Sequence, residues 1–189
     1  MNGHAMGKKM IALAAFSVLT MGCDASIEEI EMPGAGCTDS TFQVGLDISC
    51  IPNTGSEYGY IGTLMPESWG IDTMYHVGDW TGGMVYNSVC SEVILDHYGV
   101  PAGYAWFGFV TESSVPSLDS MGVTVHMTIA TDSIPGTYWL AFLVGYTYDP
   151  NSMSDYGATE DPHYGNEILI SPLALEQGTW GAIKSVFAD

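Results

Sequence analysis

The chain contains no arginine, and its basic residues are only Lys8, Lys9 and Lys184. Proteins that grip nucleic acid do so with Lys and Arg set against phosphates. That class is excluded, and so is charge-driven adhesion to an anionic lipid surface. Long apolar runs are missing too. "MIALAAFSVLTMG", Met10 to Gly22, falls short of the ~20 apolar residues that a membrane-spanning helix needs. There is no Gly-x-Ser-x-Gly and no Gly-rich phosphate loop followed by Lys. His76, His97, His126 and His163 have no short spacing to one another or to a Cys, so no transition-metal pattern is present.

What is present begins with acid. The 22 Asp and Glu residues all follow Cys23, where Lys184 is the one base. Such charge keeps a protein soluble and favours a cationic partner or a divalent ion. The front of the chain has two lysines, a short apolar run and then small residues, which is the order of a secretory signal. "LTMGC" resembles a bacterial lipoprotein box, with Thr20 and Met21 in the places usually held by Leu and a small residue. Two outcomes stay open: lipidation at Cys23, or ordinary cleavage after Ala25. The expected organisation is a signal over residues 1–23, an acidic tether over 24–39 and one folded domain over 40–189. Its 47% apolar content supplies a core for a domain of about 150 residues.

Alternation of period two dominates that domain. Phe42, Val44, Leu46, Ile48 and Cys50 alternate with small or polar residues, as a half-buried strand requires. Val123, Val125, Met127 and Ile129 repeat the pattern. "GTYWLAFLVGYTY", from Gly136, is apolar on both faces and predicts a central strand. "GYAWFGFVTE" and "NEILIS" are further strands, while "YGYIGTLM" and "GGMVYN" are weaker ones. Gly- and Pro-bearing breakers separate them, which predicts an all-β fold, an antiparallel sandwich. "NSVCSEVILDHYG" dissents. Its apolar residues fall near helical spacing, Asn87 or Ser88 suits an N-cap and Gly99 a stop, so one short helix is expected across an end of the sandwich.

The stretch holding Pro135, Gly136, Thr137, Tyr138 and Leu140, with Asn166 opening the last strand, resembles the final strands of bacterial cell-surface immunoglobulin-like domains of the CARDB kind. Pro101, Gly103, Tyr104 and Trp106 are similar to a strand opening seen in other exported bacterial β domains. The resemblance implies an immunoglobulin-like sandwich, surface display and association, not chemistry. Tyr138 would then bond back to the backbone as a corner tyrosine.

Site residues are few. The acidic segment after Tyr148 offers Asp149, Asn151, Asp155, Glu160 and Asp161 as oxygen ligands for Ca²⁺, the one cofactor considered. Met153 and Ser154 break the helical calcium-loop pattern, and a solvated strand-to-strand loop is the competing reading. Trp69 and Trp80 fall in expected loops, where they serve either as loop-packing core or as a platform for a sugar or protein partner. Trp106 and Trp139 are expected in the core. With Cys23 lipidated or removed, Cys37, Cys50 and Cys90 remain. Cys37 and Cys50 flank one strand whose ends stand ~40 Å apart, so a Cys50–Cys90 disulfide is expected. Cys90 could be set beside His126 as a nucleophile only without support from spacing. The reading is an exported surface module for display, adhesion or protein association, not an enzyme. The alternatives are a carbohydrate-binding module using Trp69 and Trp80, a secreted hydrolase or a filament subunit. The partner is a protein or glycan at the cell surface.

Overall fold

A computed structural model describes residues 24–51, 55–116, 120–158 and 161–172. The strands are β1 (Asp24–Glu31), β2 (Ala35–Cys37), β3 (Thr41–Ile51), β4 (Tyr58–Pro66), β5 (Gly70–Gly78), β6 (Gly82–Tyr86), β7 (Tyr104–Thr111), β8 (Met121–Ala130), β9 (Gly136–Thr147), β10 (Gly157–Ala158) and β11 (His163–Ser171). The helix α1 spans Ser88–Tyr98. The strands follow one curled path, β1-β3-β8-β5-β6-β7-β4-β9-β11-β2, with β10 added beside β9. Pairing is antiparallel except for β2, which runs parallel to β11. The fold is the expected all-β, antiparallel sandwich with one short helix. The front layer is β1, β3, β8 and β5, the back layer β7, β4, β9, β11 and β2, and β6 pairs with both β5 and β7 at the corner.

The alternation in β3 and β8 is realised residue for residue. Val44, Leu46 and Ile48 face inward beside Val125, Met127 and Ile129, and meet Ile61, Met65, Phe142, Val144 and Ile168 of the back layer. A second core lies on the opposite face of the back layer. There Tyr60, Leu64, Trp106, Val110, Ala141 and Leu143 are covered by Cys90 and Ile94 of α1 and by Met153. This is why β9 is apolar on both faces: it is buried from Leu140 to Thr147.

Helix α1 begins and ends where its caps predict. Asn87 Oδ1 accepts from the Cys90 N–H at 2.9 Å, and the Gly99 N–H donates to Leu95 O with Gly99 at φ 68°, a conformation that glycine adopts without a Cβ penalty. The helix lies flat on the back layer, not across an end. Its seat is a pair of glycines. Gly62 of β4 and Gly108 of β7 are direct register partners. A Cβ on Gly108 would stand 2.7 Å from Cys90 and from the Ser91 backbone N, and one on Gly62 would stand 2.7 Å from the tip of Ile94. Two adjacent positions without side chains let the helix approach as closely as it does.

The stretch expected as a tether is also different. Residues 24–31 form β1, paired with β3 from Asp24↔Ile51 to Glu31↔Gly45, and Ala25 and Ile27 enter the core. A bulge between Ile27 and Glu29 lets Ile30 pack against the same core while the acids face water. Residues 35–37 extend the back layer as β2.

Candidate interaction site

The acidic segment after β9 is a clasp on the second core. Met153 is 2% exposed at φ 48°, and Tyr156 stacks on the buried Tyr60 with centroids 5.6 Å apart. Asn87 ties the segment to the helix by donating its Nδ2 to Pro150 O at 2.7 Å. The carboxylates serve the turn itself. Asp149 accepts from the Asn151 N–H at 3.0 Å and from Ser152 Oγ at 2.8 Å. Hydrogen bonding, from Ser152 first and Asn151 next, holds the Asp149 carboxyl below its usual range. Asp155 accepts from Thr147 Oγ1 at 2.7 Å and from the Tyr148 N–H. Asp161 is exposed beyond the segment, and Glu160 lies outside the described residues, as does Cys23. No three His, Cys, Asp or Glu side chains converge among the described residues.

The two loop tryptophans part company. Trp69 is 3% exposed. The turn after β4 closes with Trp69 N–H donating to Pro66 O, and the indole folds over the end of the core against Phe42 and Tyr138. It is core, and it offers no platform. Trp80 is half-buried, with its ring 4.0 Å from that of His76, so one face is already occupied. Tyr138 donates to Ile134 O at 3.0 Å, the corner bond expected of it.

The expected Cys50–Cys90 disulfide is not formed, and Cys37, Cys50 and Cys90 are free thiols. Cys50 stands in the core between the layers and Cys90 in the core under α1, with the back layer dividing them. A disulfide requires Cα atoms within about 7 Å, and layers pack about 10 Å apart. Burial pushes the Cys90 thiol up to about 12, the opposite of what a nucleophile needs. His126, on the outer face of the front layer beside Tyr75, is on the other side of the molecule.

The exposed feature that the sequence reading missed is an aromatic row on the back layer. Trp139 precedes the inward Leu140, so it faces out, beside the α1-covered core rather than within it. Tyr104 stacks on Trp139 with centroids 4.9 Å apart and planes 21° apart, and Tyr164 follows at 6.3 Å. Tyr164 is 53% exposed and Leu169 49%, and Glu167 pairs with Trp139 across the strands. Burial, then the neighbouring Tyr98 and Asp161, raises the Tyr164 hydroxyl. The row is apolar, hydroxyl-bearing and acidic at its border, which suits a neutral or cationic partner. Its sequence signal was the alternation of β9 read one residue out of phase with the core.

No family model matches the chain, and no curated protein matches it. Solved structures resemble it loosely. A putative membrane-anchored protein from Corynebacterium diphtheriae aligns over 79% of this chain and 35% of its own, at 14% identity and TM-score 0.43. The pilus backbone RrgB of Streptococcus pneumoniae aligns over 68% and 32%, at 10% identity and TM-score 0.40. A cohesin module from a Clostridium perfringens family 33 glycoside hydrolase aligns over 80% and 98%, at 13% identity and TM-score 0.38. The chain thus spans about a third of the first two of these proteins.

Proposed function

We propose that this chain is an exported cell-surface sandwich module that works by protein association, docking through the outer face of its back layer. The observation that carries the reading is the Tyr104–Trp139–Tyr164 row with Leu169 beside it, in which Tyr164 and Leu169 are exposed and Tyr104 and Trp139 are half-buried at the edge of the α1-covered core. Aromatic side chains with one wet edge are the residues that interfaces favour, and contiguous exposed apolar surface marks contact sites. The secretory-type start and the CARDB-like corner at Tyr138 support display on the cell exterior. A protein partner is favoured over a glycan because the rings of Tyr104 and Trp139 face each other, whereas a sugar platform presents ring faces to solvent.

The test is site-specific photo-crosslinking on intact cells. A crosslinker placed at Tyr164 is expected to give a discrete adduct. One placed at Thr73, exposed on the opposite layer, is expected to give none. No adduct at Tyr164, or equal adducts at both positions, would refute the reading. Quenching of tryptophan fluorescence by one member of a glycan panel, lost in Trp139→Ser, would replace it with carbohydrate binding.

A further inference from the structure

Between the two layers, at the end of the sandwich where Trp80 sits, lies a narrow slot open on one side. It holds about 350 Å³ of empty space with its mouth included, of which only about 30 Å³ is wide enough for water. The slot is also long. The strand register sets Cys50 opposite Met121 and His76 opposite Val125, four residues farther along β8, or about 13 Å. Ile48, Ile61, Val123, Val125 and Val144 make its walls apolar. One wall group is out of keeping. His76 is 2% exposed, and its Nδ1 lies 3.0 Å from Trp80 O. A carbonyl only accepts, so Nδ1 carries the proton and Nε2 of the neutral ring presents a lone pair. That Nε2 is buried and has no hydrogen-bond partner among the described residues. A glycine keeps the space beside it free. Gly82 of β6 is the register partner of His76, and a Cβ there would stand 3.0 Å from Nε2 and 3.3 Å from Cε1.

We propose that the slot binds an unbranched aliphatic chain ending in a hydroxyl, with the hydroxyl donating to His76 Nε2 and the chain lying along the apolar walls. A buried acceptor left unpaired is costly, so a donor belongs at Nε2. Water is a poor one here, because a buried water needs about three polar partners. The other polar wall groups are already engaged. Thr111 Oγ1 donates to Ser113 O and accepts from the Gly59 N–H, and the Cys50 thiol donates to Met121 O at 3.5 Å. Tyr60 turns its ring away, into the second core. A single donor on an apolar body satisfies both the lone pair and the walls. A charged head does not, since nothing here would replace its water. The narrowness favours an extended chain over a ring. Met84 and Met121 line the slot, and such flexible side chains adjust to a chain without backbone movement. The inference does not depend on the association reading.

The experiment is an NMR titration of the purified chain, labelled at methionine methyls and histidine nitrogens, with 1-hexanol. Methyl pentyl ether, of the same length but without a donor, is the matched probe. Saturable binding of 1-hexanol is expected to shift the Met84 and Met121 methyls and leave Met153, in the second core, unmoved. The His76 Nε2 resonance should move from the free lone-pair position toward the hydrogen-bonded one. The ether should bind at least tenfold more weakly. Gly82→Ala, which fills the space beside Nε2, should weaken the alcohol at least tenfold and leave the ether unchanged. Absence of saturable binding overturns the proposal. So do equal affinities for alcohol and ether, shifts that reach Met153 equally, or a ligand-free Nε2 already at the hydrogen-bonded position, which would mean that water holds the site.

Discussion

Replacing Gly108 by alanine should lift helix α1 off the back layer. The new Cβ would stand 2.7 Å from Cys90 Cβ, Cys90 Sγ and the Ser91 backbone N, where ordinary contact begins at 3.4 Å. Two of these three atoms cannot rotate away. The helix must therefore withdraw by about 0.7 Å, a gap that forfeits a quarter to a half of each dispersion contact it makes. It also strains two short hydrogen bonds, Asn87 N–H to Gly108 O and Gly108 N–H to Ser91 Oγ, both 2.8 Å. Overpacking of this kind costs about 1–3 kcal/mol, and the weakened bonds add about 1 kcal/mol. Loss of glycine's freedom in the unfolded chain offsets about 0.4–1 kcal/mol. The net is about 2 kcal/mol, or about 4–8 °C in Tm for a chain of this size. Gly62→Ala is the internal control. Its Cβ meets only the flexible end of Ile94 at 2.7 Å, so a loss of about 1 kcal/mol or less is expected. Urea unfolding followed by far-ultraviolet circular dichroism measures both. A Gly108→Ala midpoint within about 0.5 kcal/mol of the parent, or an equal loss in Gly62→Ala, would refute the glycine-seat argument.

Three further outcomes are expected. Burial pushes the His76 imidazole below its ordinary range, and its bond to Trp80 O offsets this only in part. The unfolded chain then binds that proton more readily, so stability is full above pH ~6.5 and falls as pH drops through it toward the lower folded value. His76→Gln should flatten this part of a Tm-against-pH curve, and an unchanged slope would show that His76 does not drive it. Of Cys37, Cys50 and Cys90, an alkylating agent should label only the half-buried Cys37 in the native protein and all three after unfolding. A native mass two units light with a Cys50–Cys90 peptide would contradict the separation of the two cores. Tyr138→Phe removes the corner bond to Ile134 O and should cost about 1 kcal/mol in chemical unfolding, and no loss would show that the corner is held by ring packing alone.

How much of this was readable from the chain depends on whether the signal was local. The strand at Thr41–Ile51 was legible because five apolar residues alternate without interruption. The helix was legible because Asn87 and Gly99 punctuate it. Strand β5 was missed because a bulge between Ile71 and Thr73 breaks its alternation. Residues 24–31 were read as tether because Glu28, Glu29 and Glu31 mask the inward Ala25, Ile27 and Ile30. The loop position of Trp69 was legible, but the sequence left its burial open between core and platform, because a turn residue can fold either way and only Phe42 and Tyr138, distant in sequence, decide which.

By itself, then, the sequence determined the charge, the period-two pattern, the helix with its caps and the all-β class, because each is set by neighbours a few residues apart. The tertiary structure alone decided the rest. It put Gly62 beside Gly108 to seat a helix and divided Cys50 from Cys90 by a sheet. It also turned Trp139 outward into a row with Tyr104 and Tyr164. These are pairings between distant strands, and which strands pair is fixed only when both cores are packed at once.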